Sequence, residues 1–189
     1  DTSLTIGRTG TTTTPTVVNA DGEAAADKLT ISAPGVVTLE TVHLDVGGGA
    51  GNQVESLDLS GNGAAATYNL NGTGDLPTTV TFSGSQNVTM KMTLAQSDAL
   101  NADAAGGVTD NSSATTTVQI SDAVTDGKTF LKTKSDVLEF QGAFGAGGVT
   151  FTVNDGATVN MTTNDQTQAF TLKVDDGATT NGTAGSVTL

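Results

Sequence analysis

Oxygen-bearing side chains come together twice in one local setting. Asn154 and Asp155 stand in "VNDGATV" (153–159), and Asp175 and Asp176 in "VDDGATT" (174–180). A calcium ion takes six to eight oxygens in irregular geometry, from carboxylates, amides and backbone carbonyls, all of which a tight Asx-rich turn offers. Were the two copies stacked, their acids would lie about 4.8 Å apart, and a cation between them would relieve the repulsion. Asp45 and Asn52, on either side of the Gly-rich run 47–51, complete the set of metal candidates. Turn chemistry is the competing account: Asp-Gly suits a positive φ, and an Asx side chain bonds its own backbone, with no ion required.

Little else in the chain suggests chemistry. An enzyme needs groups that titrate or attack near neutral pH. The one imidazole, His43 in "TVHLDV", alternates with Val42 and Leu44 and reads as a solvent-facing strand residue. The chain has no Cys, no G-x-S-x-G elbow and no phosphate loop. Paired acids could imitate a glycosidase, yet one Tyr and no Trp give a sugar few platforms. The reading is a non-enzyme.

Charge narrows the partners. The net charge is −13, with seven Lys and Arg against 20 acids, so nucleic acid and anionic lipid are repelled. The acids divide into 16 Asp and four Glu, a bias toward turns, calcium or both. Without Cys, neither disulfides nor thiolate metal sites form. No run is long enough to span a membrane, and the composition looks bacterial and extracellular. The start at Asp1 reads as a processed product or a piece of a longer chain.

The elements that must position these residues are strands. Thr supplies 36 residues, and β-branched side chains favour pleated structure. "KLTIS", "VVTLETVHLDV", "VESLDLSG", "TYNLNG", "TTVTFSG" and "NVTMKMTL" follow one another, almost all closed by Gly, Asn, Asp or Ser. Ahead of the two Asx-Gly turns stand "VTFTV" and "FTLKV", 21 residues apart, the period of a coiled solenoid. Two unrelated hairpins would give the same echo. A second echo, "LETVHLD" (39–45) against "VESLDLS" (54–60), has a spacing of 15, so the coils are expected to be irregular. Residues 94–106 break the pattern, with Thr93 or Ser97 as cap of a short helix near 94–105.

The expected fold is a single all-β domain over 1–189, a mostly parallel β-solenoid with residues 1–28 as an extended N-terminal arm. The alternative is an antiparallel β-sandwich, in which "TSLTI" donates a strand to a neighbouring copy. Alternation places Val42, Leu44, Leu57, Leu59, Val80, Phe82, Val137, Leu138, Phe140, Phe151, Val153, Leu172 and Val174 in the core. Val137 and Leu138 are adjacent and cannot both face one side. Thr-x-Thr stretches at 79–81 and 150–152 share no fixed period, so a flat lattice of hydroxyls is not expected.

"SDVLEFQGAFGAGGVTFTVNDGATVNM", running on into "FTLKVDDGATTNGTAGSVTL", resembles the repeat-bearing regions of S-layer and related large cell-surface proteins of Gram-negative bacteria, which are type I secreted and RTX-related. "LPTTVTFSGSQNVTMKMTL" (76–94) is similar to the rung of such regions in which "SGxxN" links two strands. The likeness covers the chain from about Thr38 onward. It implies a parallel β-solenoid, a structural role in a surface lattice or matrix, and calcium-dependent assembly. The sequence departs from the calcium nonapeptide, whose best copy, "GGAGNQVES" (48–56), has Gln53 where the coordinating Asp should stand. The functional expectation is a self-assembling cell-surface or matrix protein with copies of itself as partners, a surface polysaccharide as a further one, and Ca2+. A monomeric adhesin module is the alternative.

Overall fold

The computed structural model describes residues 2–5, 16–19, 27–32, 36–43, 54–61, 63–71, 76–104, 106–146, 148–154, 158–160 and 170–175. Within them the strands run β1 (Thr2–Thr5), β2 (Thr16–Asn19), β3 (Asp27–Ser32), β4 (Val36–His43), β5 (Val54–Gly61), β6 (Ala66–Asn69), β7 (Thr79–Gly84) and β8 (Val88–Met92). A helix, α1 (Leu94–Ala102), follows. The chain continues with β9 (Gly107–Asp110), β10 (Thr116–Ile120), β11 (Lys128–Thr129), β12 (Val137–Phe140), β13 (Val149–Asn154), β14 (Thr158–Asn160) and β15 (Phe170–Asp175).

Each strand pairs with the next but one. A five-stranded sheet has the order β1-β3-β5-β7-β9, a seven-stranded sheet β14-β12-β10-β8-β6-β4-β2, and a three-stranded sheet β11-β13-β15. A parallel bridge from Val108 to Thr133 links β9 to the segment after β11. All the pairings between these strands are parallel. Parallel neighbours cannot be joined by a tight hairpin. The chain therefore crosses to another sheet after every strand and returns beside the one before last. This overturns the antiparallel sandwich. It also places Thr2–Thr5 beside β3 of the same chain, and Thr16–Asn19 beside β4, both within the stretch read as an arm.

The two sequence echoes part company here. Val153 pairs with Val174 and Asn154 with Asp175, so the 21-residue echo is a pair of neighbouring strands. The strands on either side of the first turn, β13 and β14, belong to different sheets, which removes the hairpin reading. The 15-residue echo has no such meaning. Its copies fall in β4 and β5, again in different sheets. They look alike because both obey the same period-two alternation.

Register survives large changes in the length of chain between paired strands. Thr117 pairs with Val137, 20 residues on, and Val137 with Thr158, 21 on. Ala66 pairs with Val88, 22 on, and Val88 with Thr116, 28 on. The last interval contains α1. The extra residues go into the corners, while the strands keep the hydrogen-bond ladder that parallel pairing requires.

Inside, the alternating residues make one core. Leu57, Leu59, Val80, Phe82, Leu138, Phe140, Phe151 and Val153 are buried as expected, and Leu172 is partly buried against them. Val137 is half-buried and turns outward beside buried Leu138, which resolves the conflict in "SDVLEF". Leu44 and the side chains of Val42 and Val174 lie outside the described residues. Five phenylalanines, Phe130, Phe140, Phe144, Phe151 and Phe170, pack as a cluster with ring centroids 5.0–6.3 Å apart, mostly edge to face.

Thr93, not Ser97, caps α1. Its hydroxyl accepts from Gln96 N (3.1 Å) while the Gln96 amide oxygen accepts from Thr93 N (2.8 Å), a capping box. Gln96 also donates to the Leu70 carbonyl at 3.0 Å, and Asp98 pairs with Lys128 at 2.5 Å, so the helix is tied to the chain before and after it. At the opposite corner, Gly84 ends β7 with φ +97 and pairs with Gly61. A side chain at Gly84 would collide with the Gly61 carbonyl. This is the "SGxxN" link: β7 ends at Gly84 and β8 begins at Val88.

Candidate functional site

Of the six metal candidates, the backbone of Asn154 and Asp175 is described, and the two are register partners on adjacent parallel strands. They are the last residues of β13 and β15. Asp45, Asn52, Asp155 and Asp176 lie outside the described residues. Among the described residues, no three His, Asp or Glu come together as a metal-binding group.

Five of the described aspartates accept hydrogen bonds from backbone N–H groups. Asp122 accepts from Leu94 N at 2.9 Å, Asp126 from Thr150 N at 2.7 Å, and Asp103 from Gly106 N at 2.9 Å. Asp110 accepts from Ser112 N at 2.8 Å and, with its other oxygen, from the Thr116 hydroxyl. Asp136 accepts from Thr116 N at 2.9 Å and returns its own N–H to the Thr116 hydroxyl at 3.1 Å. A carboxylate on a backbone N–H is a charge-assisted bond and satisfies a donor that leaves the ladder at a corner. Asp103 and Asp110 serve their own turns, whereas Asp122, Asp126 and Asp136 reach N–H groups 28, 24 and 20 residues away on other passes of the chain. Asp58 differs: it sits on β5, 7% exposed, held by Lys28 at 2.9 Å and by a hydroxyl donated from Ser83 at 2.5 Å. A buried carboxylate needs such partners to offset its lost hydration.

The outward faces form ordered rows. On the seven-stranded sheet, Thr67 pairs with Thr89, Thr89 with Thr117, Thr117 with Val137, and Val137 with Thr158. Two residues further on, Asn69, Lys91, Gln119, Glu139 and Asn160 make a second row in the same register. All ten are half-exposed, and their neighbours Tyr68, Met90, Val118, Leu138 and Val159 are buried. Thr67, Thr89, Thr117 and Thr158 make no side-chain hydrogen bond to another described residue. In the second row, Glu139 accepts from the amides of Gln119 (3.1 Å) and Gln141 (3.4 Å).

The threonine row lies outside the Thr-x-Thr stretches at 79–81 and 150–152 and is interrupted by Val137. The expectation for those stretches rested on a fixed period, and the rows have none, because the corners absorb unequal insertions. A local signal was present all the same. "TYNL", "TMKM", "TVQI", "VLEF" and "TVNM" share one pattern, an outward Thr or Val, an apolar residue, a polar residue and another apolar residue. "LTIS", "LDLS" and "VTFS" mark the five-stranded sheet in the same way, and their strands pair in register.

No helix among the described residues is long and apolar enough to cross a membrane. No protein-family model, curated protein or solved structure matches the chain.

Proposed function

We propose that this chain is a structural protein of a bacterial cell surface or extracellular matrix, built as a parallel β-solenoid that assembles with copies of itself. The observation that carries the reading is the pairing of each strand with the next but one, always parallel. Such a stack presents long, repetitive outer faces suited to making the same contact many times. It is read as a non-enzyme, secreted to the cell surface.

Calcium belongs to the proposal through charge. Copies carrying −13 each repel when brought together, and seven basic residues cannot neutralise 20 acids. A divalent ion bridges two carboxylates, whereas monovalent salt only screens them. Asn154, Asp155, Asp175 and Asp176 are the residues proposed to hold it, with Asp45 and Asn52 as a second location. Electron microscopy and sedimentation of the purified chain test the reading. Ordered assemblies with calcium that dissolve in excess chelator, and do not return with sodium at equal ionic strength, are expected. A chain that stays monomeric at all calcium levels refutes the lattice, and assemblies unchanged in chelator refute the ion.

A further inference from the structure

The seven-stranded sheet turns a face to solvent that differs in charge from the chain as a whole. Its described outward positions, on β6 to β14, hold one cation, Lys91, and one anion, Glu139, on either side of Gln119, so these positions sum to zero on a chain of −13. Thr67, Thr89, Thr117 and Thr158 stand in one line across it with hydroxyls that bond no other described residue. Within β6 to β14 the pairings carry no register shift, so the line is straight. Adjacent strands lie about 4.8 Å apart, and the groups therefore recur at that interval over five strands. Among the described residues no aromatic side chain lies on this face: Tyr68 is fully buried between its neighbours.

We propose that this face binds an extended, neutral polysaccharide laid across the strands, along the threonine row. A sugar polymer of this kind repeats its own hydroxyls at roughly the length of one ring, close to the strand spacing. The threonine row offers each ring a hydroxyl that both donates and accepts, and the neighbouring row adds amide donors and acceptors. The balanced charge of the described positions fits a neutral polymer, while the net charge of the chain repels an acidic one. Without an aromatic platform each contact is weak, and useful affinity comes from many faces held together, so the inference rests on the self-assembly reading for its strength in place. Val137 interrupts the row at one strand only.

The test is affinity electrophoresis of the single chain in gels containing hydroxyethyl cellulose, with dextran sulfate as the acidic comparison. The neutral glucan is expected to retard the protein and dextran sulfate to leave it unretarded. A Thr67→Val, Thr89→Val, Thr117→Val variant keeps β-branched residues on the strands and removes the hydroxyls. It should lose at least fivefold of the retardation. The matched change on the five-stranded sheet, Thr79→Val, Thr81→Val, Thr109→Val, should keep it. If the triple variant fails to fold, Thr117→Arg alone should give the loss, since a long side chain blocks the line. Retardation unaffected by these changes overturns the proposal, as does a wild type that no glucan retards. Adsorption to ice grains in place of glucan also overturns it, since a hydroxyl row then serves ordered water. Sedimentation of the same samples separates this from the lattice reading: assembly without glucan binding sinks only the present inference, and glucan binding by a chain that never assembles sinks the lattice.

Discussion

Two stretches of the molecule keep the same strand pairing with different interiors. Between residues 27 and 92 the core is mostly aliphatic, built from Leu29, Ile31, Leu57, Leu59, Leu70 and Met90 around Tyr68 and Phe82. There the Tyr68 hydroxyl donates to the Ser60 carbonyl at 2.7 Å and lies 3.1 Å from that of Ile31, so β6 is tied to β5 and β3 across the core. Between residues 116 and 172 that place is taken by five phenylalanine rings from successive passes of the chain. One stretch orients its sheets by a directional hydrogen bond, the other by edge-to-face rings. The lesson is that the parallel ladder sets the architecture, and any filling of suitable volume satisfies it.

The hardest blow to either stretch is a break in register. Deleting residues 117–136 removes one pass of 20 residues and joins Thr116 to Val137, which takes the place of its own register partner Thr117 beside Thr89. That variant should still unfold cooperatively. Deleting residues 117–131, a loss of 15, removes β10 beyond Thr116 and puts the corner residues 132–136 in its place, which should leave the second stretch without native structure by circular dichroism. Equal loss of structure in both deletions would show that one pass cannot stand in for another.

Next in size comes the ring cluster. Phe140 meets Phe130, Phe144 and Phe151 at 5.0–5.7 Å, and Phe140→Ala should cost about 3–5 kcal/mol in denaturant unfolding. A cost near 1 kcal/mol would mean the rings do not hold this stretch. Tyr68→Phe should cost less, about 1–3 kcal/mol, because it removes the donor to the Ser60 carbonyl without opening a cavity. If Tyr68→Phe were neutral, the contrast between a polar and an aromatic tie would fail. Smallest is Thr93→Ala, which removes a helix cap outside both cores. A loss of about 1 kcal/mol with the strands unchanged is expected, read from the melting temperature.

Much of this was legible in the residues. "VTFTV" and "FTLKV" announced neighbouring strands because parallel pairing copies a local pattern at the length of one pass. Buried Leu57, Phe82 and Phe151 followed from alternation, and the short helix from the break in the pattern after Thr93. The 15-residue echo misled, because alternation alone makes unpaired strands look related. The register of Asn154 with Asp175 followed from the echo, whereas the threonine row has no fixed period in the chain. A search for fixed periods cannot find groups whose spacing runs 22, 28, 20 and 21.

By itself the sequence determined composition, charge, strand identity and the inward or outward sense of each residue, since these depend on side-chain chemistry and a period of two. The partners of each strand, and the columns that line up across passes, were decided only in three dimensions. Corners of unequal length, one of them holding a helix, erase the period from the chain, while the hydrogen-bond ladder restores it in space.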